Sequence, residues 1–409
     1  MKILFVSMVA FENNTSATIQ NKGIVKGLSA IGHDIDIMTL RPNQNTINYD
    51  DTINDINKVI RHSYYIDIDL KYNMLMAKKQ NTKEASYAKA KKGLIKSGLI
   101  ICRSLIKKVY NNTSIFDSQK VNVKGVSKLR IDYSEYDVIV SASDPKSSHL
   151  IVERIYKENK NCKAKWIQYW GDPMFNDITR ENDWRDKLVK YHENKLIVKA
   201  DRVIYASPLT LEKQKETFPE LSFKMDYASQ AYADVKTEES NKVEIKVNNN
   251  VSLGYFGAYY STIRNIIPLY DTVKICKAKL NICGSSDIKL QSTDNISVQE
   301  MVAYKKALQM EQESDILVCI CNSRGTQIPG KIYYCTSYNK PIIVILDGEY
   351  KEELRVYLES FNRFILCENY EEDIKKAIQT AKKQLEINDY HISEQLTPEY
   401  MGRKILGEF

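Results

Sequence analysis

Two consecutive α/β domains, each built on a parallel sheet, are predicted by three observations. Short β-branched or aromatic runs alternate with amphipathic stretches along the chain, the pattern of repeated strand–helix–strand units. The alternation breaks once, at the polar stretch TEESNKVEIKVNNN (237–250), and then resumes. The 409 residues exceed what one core ordinarily organises and suit two domains of roughly 150–200 residues each.

In the first half the strand candidates are 2–8, 34–40, 58–64, 136–143, 165–170 and 202–207. A second series follows at 251–257, 278–284, 295–299, 315–320, 341–346 and 363–367, with helical stretches at 298–313 and 371–386 between its strands. The expected division is therefore a first domain over 1–236, with a basic helical insertion at about 70–112, and a second over 251–386. A polar tail, 387–409, reads as helical and packing back on the first domain. Two such domains create a cleft between the carboxyl edges of their sheets, where open α/β folds place ligands.

Composition narrows the function classes. Hydrophobic residues make up 43% and charged residues 27%, a globular balance. No run approaches the ~20 apolar residues that span a bilayer. MKILFVSM reads as a buried first strand, since it lacks a cleavage-site pattern. The eight cysteines sit mostly in apolar runs and the five histidines are scattered, so no metal site is expected and reduced thiols suggest the cytoplasm. The net charge of +7 is concentrated: Lys71 to Lys108 holds eleven Lys and Arg against Glu84 alone. That argues against nucleic acid as partner and for a local anionic one. Lysine clusters between apolar residues in 70–112 fit an interfacial helix on the inner face of an anionic membrane, or equally a solvated helix pair.

Three strings carry the candidate chemistry. In QIPGKIYYCTSYNKPIIVI, Pro329 and Gly330 turn the chain and Lys331 opens a helix closed by Asn339 and Pro341. A helix N-terminus attracts phosphate, and a lysine there adds a full charge; an ordinary turn–helix unit with a surface lysine reads the same way. In GYFGAYYSTIRNI, Gly257 lets backbone approach a ligand and Arg264 offers a fork for a diphosphate. NICGSSD runs a strand into Gly284 and Ser285, a loop able to line a nucleotide.

Taken in order, these pieces resemble the GT-B glycosyltransferases over nearly the whole chain. The opening KILFVSM with GIVKGLSAIGHDIDIMT is similar to their first strand, helix and second strand, and QYWGDPMFND to a WGDP-type loop of their acceptor domain. The second half is similar to their donor domain: strand–Gly loop–Arg, strand–Gly-Ser, strand, then PGK-helix–KP–strand. The resemblance implies a nucleotide diphosphate sugar bound by Gly257, Arg264, Gly284, Ser285, Gln327, Gly330, Lys331 and Tyr334, with no metal or other cofactor. It implies a glycan, lipid-linked or protein acceptor near Thr15, Ser16 and Trp170, and hexosyl or N-acetylhexosaminyl transfer in bacterial surface glycan synthesis. Aligning the PGK helix puts the two glutamates of many retaining members at Thr326 and Tyr334. Neither is acidic here, which removes the ground for inferring a retaining outcome. It also motivates the alternative of a non-catalytic GT-B-like subunit that binds glycan or protein and supports a partner glycosyltransferase.

Asp172 is the candidate acid–base residue, with Trp170 and Pro173 expected to shield it from water and tune its pKa; a turn aspartate before Pro173 is the plain alternative. Thr15 and Ser16 follow the first strand and read either as cleft residues or as a helix cap. Asp34-Ile-Asp36 and Asp67-Ile-Asp69 have an Asp-x-Asp form, but the first alternates with isoleucines and reads as the polar face of a strand. A sugar-nucleotide epimerase of the same shape would need a set of acids and histidines that the sequence does not offer.

Overall fold

The structure is a computed structural model. It describes residues 1–44, 49–50, 55–68, 114–181, 183–232, 251–385, 390 and 392–408. The basic stretch expected at 70–112 and the linker at 237–250 lie outside the described residues, as does part of the 387–409 tail.

Two all-parallel sheets organise the chain, in agreement with the expected fold class. The first runs β3-β2-β1-β4-β5-β6-β7, from β1 (Lys2–Val6), β2 (Asp34–Leu40), β3 (His62–Ile66), β4 (Val138–Ser143), β5 (Lys165–Trp170), β6 (Arg202–Tyr205) and β7 (Met225–Tyr227). The second runs β10-β9-β8-β11-β12-β13, from β8 (Val251–Phe256), β9 (Ala278–Cys283), β10 (Ile296–Gln299), β11 (Ile316–Ile320), β12 (Ile342–Leu346) and β13 (Ile365–Glu368). The strands read as continuous apolar runs because helices cover both faces: β4, β11 and β12 are buried along their whole length. Side chains alternate across the first sheet, Leu4 and Val6 entering one core layer and Ile3 and Phe5 the other.

Each sheet has a point where strand order reverses. It falls between β1 and β4 in the first and between β8 and β11 in the second. Loops leaving adjacent strands there diverge to opposite faces and open a crevice.

The terminal helix Pro398–Leu406 lies on helix Ser16–Ala30. Gly27 and Gly402 meet backbone to backbone, and a Cβ on Gly27 would collide with the Pro398 carbonyl. Met401 and Ile405 thereby join Ile24 and Leu28 in the core of the first sheet. Thr397 caps this helix, and Gly407 ends it in the left-handed region (φ 78°). Among the described residues no helix is long and apolar enough to cross a membrane.

Three expectations change in detail. The third strand starts at His62, not at 58, because Ile56–Lys58 forms a 3-10 turn. The stretch 298–313 divides between the end of β10 and a helix confined to Tyr304–Glu313. Asp36 is not on a polar strand face: it is fully buried and accepts from the Tyr136 hydroxyl at 2.7 Å, whereas Asp34 is exposed and paired with Arg61. Burial of both faces of β2 defeats an alternation rule written for half-exposed strands.

Candidate active site at the facing sheet edges

On the first sheet the site is built from the residues that leave β4 and β5. These strands pair in register up to Ser143 opposite Trp170, so Asp144 and Asp172 emerge side by side. Lys146 joins them, 2.8 Å from Asp144 Oδ1 and 2.7 Å from Asp177 Oδ2. Burial pushes the Asp172 carboxyl up to about 8. The neighbouring Asp144 adds to that by repulsion and by hydrogen bonding to the protonated form, with Lys146 partly offsetting both. Burial opposes ionisation of Asp177 too, but there Lys146 and Thr179 outweigh it and hold the group below the usual carboxylate range. Burial likewise opposes the charge on Lys146, and the surrounding carboxylates overcome it, so Lys146 stays a cation. The raised Asp172 carboxyl, beside a fixed ammonium, is an arrangement that exchanges a proton near neutral pH.

The loop 171–177 is held from behind. Glu193 is fully buried on helix Asp186–Lys199 and accepts from the backbone N–H of Met174 at 3.1 Å and Phe175 at 2.8 Å. Burial raises its pKa to about 7, and those two N–H groups restrain the rise. Gly171 N–H donates to Ser143 Oγ at 3.2 Å. Trp170 does not present a surface to an acceptor: it is fully buried, stacked 4.2 Å from the His149 ring, with its Nε1–H on Gln168. It packs the layer beneath the loop. His149 is buried in turn and bonded to Ser141 Oγ; burial, then Lys146, depresses its pKa to about 3 and keeps it neutral. Thr15 is the N-cap of helix Ser16–Ala30, accepting from Thr18 N–H at 3.2 Å. Ser16 is exposed beside it.

The second sheet contributes the loops after β8, β9 and β11. Arg264 bridges its switch point, donating Nε to Asn322 Oδ1 at 2.8 Å and Nη1 to the Ala258 carbonyl at 3.0 Å. Asn322 in turn donates to the Gln327 carbonyl at 2.7 Å. Gly284 is required where it stands, because a Cβ would strike the Gly257 carbonyl. A Cβ on Gly257 would meet only the Tyr255 hydroxyl, at 3.9 Å, and Ser285 is exposed. Lys331 begins a helix of only four residues, Lys331–Tyr334, continued by a 3-10 turn at Cys335–Ser337, not one run to Asn339. Its ammonium is ion-paired to buried Glu311, whose other oxygen accepts from Tyr338 at 2.7 Å; burial works against this charge and Glu311 more than restores it. The Lys331 side chain keeps 31% of its surface exposed.

Across the interface the loops meet directly. Gln327 Nε2 donates to the Asn176 carbonyl at 3.1 Å, tying the strand end of the second sheet to the Asp172 loop. Thr326 is buried between Ser207 and Thr210, whose hydroxyls donate to its carbonyl at 3.0 and 3.1 Å. The Tyr334 hydroxyl donates to Gln230 Oε1 at 2.6 Å and reaches the Ser16 carbonyl at 3.3 Å. Gln230 also fills the space a Cβ on Gly330 would take. Buried Gln20 Nε2, beside Gly171, and Gln327 Oε1 have no hydrogen-bond partner, which marks this seam as polar and incompletely satisfied. Among the described residues no cluster of three His, Cys, Asp or Glu could hold a metal ion.

The structure thus brings Asp172, Gln327, Gly330, Tyr334 and Ser16 to one seam and sets Trp170 behind it. Sequence reasoning missed Asp144, Lys146, Asp177 and Glu193. An acid directly after the strand 136–143, next to a WGDP loop, was a usable signal for Asp144; Glu193, one acid in a charged helix, gave none.

No known protein-family model and no curated protein matches the sequence. Solved structures do match in shape. A glycosyltransferase from Rickettsia africae is 13% identical at a TM-score of 0.51, over 100% of this chain and 94% of that one. A putative UDP-N-acetylglucosamine 2-epimerase from Listeria monocytogenes is 10% identical at 0.51, covering 100% and 96%. The N-terminal domain of a Candida albicans trehalose-6-phosphate phosphatase is 11% identical at 0.51, covering 99% and 92%. At such identities the likeness speaks for fold. The two parallel sheets and their facing edges have the GT-B architecture.

Proposed function

We propose that the protein is a glycosyltransferase, moving a hexosyl or N-acetylhexosaminyl group from a nucleotide diphosphate donor to a glycan, lipid-linked or protein acceptor. The observation that carries this reading is the Asp172 carboxyl, raised to about 8 and set in a loop that the second sheet grips through Gln327. In the ionised form Asp172 takes the proton of an acceptor hydroxyl as that oxygen attacks the anomeric carbon. The bond to the diphosphate breaks from the opposite face, an inverting displacement. Lys146 stabilises the carboxylate before transfer. Arg264 and the exposed part of Lys331 supply positive charge for the leaving diphosphate, where negative charge grows. Transfer is expected to persist in EDTA; complete loss restored by Mn²⁺ would contradict the charge-based account.

A second reading, a non-catalytic GT-B-like subunit, is favoured by one observation. Thr326 and Tyr334, at the positions of the paired glutamates, spend their polar groups on bonds between the two sheets. Thermal-shift titration with a panel of nucleoside diphosphates separates the readings. Stabilisation by one of them at concentrations on the order of micromolar supports the transferase. No shift with any supports the subunit.

A further inference from the structure

Helix Asp186–Lys199 has two faces with opposite work. Inward, Val189, Glu193, Leu196 and Ile197 are buried, and Glu193 holds the Asp172 loop. Outward, the exposed large side chains are Trp184 (68%), Leu188 (44%), Tyr191 (60%) and Val198 (51%). Spacings of three and seven place Leu188, Tyr191 and Val198 on one stripe of the helix, with Lys195 filling the gap and Trp184 in the turn just before the helix. From Leu188 to Val198 the stripe runs about 15 Å at 1.5 Å per residue. It is extended by Phe223, 80% exposed, on a turn docked to the helix end through Lys224 Nζ on the Val198 and Ala200 carbonyls.

Charge around the stripe is predominantly positive, with the exposed Glu181 and the exposed Glu220, which accepts from Asn194 of the helix, set against it. Lys187, Lys190, Lys195 and Lys199 are exposed along the helix, while Asp183 and Asp186 at its start are bound to Arg185 and Arg180. Beside it lies a groove of about 900 Å³, with Lys157, Lys160, Lys195 and Lys199 at its rim over Leu150 and Trp166. Glu153, Glu158 and Asp201 also line it; Glu153 pairs with Lys199 and Glu158 with Arg154, leaving a cationic excess.

We propose that this face is a peripheral docking surface for an anionic phospholipid bilayer, with the Trp184–Phe223 stripe in the headgroup layer and the lysines on lipid phosphates. Aromatic and aliphatic side chains between lysines suit an interface that is apolar below and anionic above. An acidic partner helix would cover the stripe but leave the cationic groove uncompensated; a bilayer meets both. The inference concerns attachment and stands apart from the proposed transfer chemistry.

The tryptophans provide the test, because Trp166 and Trp170 are buried and Trp184 alone is exposed. With the full chain, vesicles of phosphatidylcholine and phosphatidylglycerol should shift tryptophan emission to the blue and sediment with the protein. Pure phosphatidylcholine should do neither. The W184F variant should lose the emission response while still sedimenting, and L188Q/Y191Q/F223Q should bind at least about tenfold more weakly. Those three side chains are exposed, so circular dichroism of the triple variant should match the parent. Absence of a blue shift in the parent would overturn the proposal. So would full sedimentation of the triple variant, which would place the anchor elsewhere, or a concentration-dependent blue shift without lipid, which would make the stripe a contact between copies.

Discussion

The two facing sheet edges differ in how their polar groups are spent. At the first, four ionisable groups, Asp144, Lys146, Asp172 and Asp177, are gathered with fewer cations than carboxylates, and burial, then the neighbouring Asp144, drives the Asp172 carboxyl up to about 8. At the second, the charges are largely settled: Lys331 with Glu311, Arg264 with Asn322 and Ala258, Tyr334 with Gln230. On the proposed reading, the first edge moves a proton and the second holds shape. In a two-domain transferase this division is workable, because the reacting hydroxyl needs a base of matched pKa, whereas a diphosphate needs only fixed positive charge.

The sharpest way to break this comparison is to remove the proton exchange alone. D172N should lower transfer by about 10²–10⁴-fold while nucleoside diphosphate affinity stays within twofold of the parent, by rate assay and titration calorimetry. Comparable loss of binding would move Asp172 from proton transfer to donor recognition.

The second edge is expected to fail structurally. K331A leaves Glu311, whose side chain is 4% exposed, without the half-buried cation that pairs with it but still bonded to Tyr338, a loss of about 1–3 kcal/mol. Denaturant midpoints should fall accordingly, and E311Q in the same chain should recover most of the loss. R264A, by contrast, should weaken nucleoside diphosphate binding about tenfold and leave nucleoside binding unchanged. Equal loss of both would place Arg264 away from the phosphates.

A pH series sharpens the contrast further. In the proposed mechanism transfer uses the Asp172 carboxylate, so kcat/KM should rise with pH and level off above about 8. D144N removes the repelling neighbour and should shift that limb to lower pH. Stability runs the other way. The folded protein holds the Asp172 proton up to about 8, whereas an unfolded aspartate releases it near 3.9, so this group costs stability as pH rises through that window. The Tm gain of D172N over the parent should therefore grow between pH 5 and pH 8. A gain independent of pH would mean that the carboxyl is not held protonated.

The smallest effect is expected at the seam. Y334F removes one hydroxyl from Gln230 and should cost about 1 kcal/mol by denaturant unfolding.

Much of the fold was legible in the sequence because its strands are short apolar runs closed by turns; β2 and β5 have the expected bounds. The short edge strand β7 was not, since Met225–Tyr227 is three residues without a pattern. The site was legible only where chemistry is local. The WGDP string singled out Asp172, and the PGK string Lys331. What each residue faces depends on partners far along the chain: Gln230 lies 104 residues from Tyr334, and Glu311 lies 20 from Lys331. No spacing rule reaches across a fold in that way. Trp170 shows the converse: it stands two residues from Asp172, yet it ends β5 fully buried against His149, beneath the loop that carries Asp172.

In the proposed function the seam between the sheets turns over a nucleotide diphosphate sugar with Asp172 as base. Its most direct measurement is release of nucleoside diphosphate from a panel of such sugars, with parent and D172N side by side from pH 6 to pH 9. The account predicts release by the parent from at least one donor, rising toward about pH 8, and a flat residual rate in D172N despite intact binding. Equal release by the two proteins, or none from any donor by the parent, would contradict it.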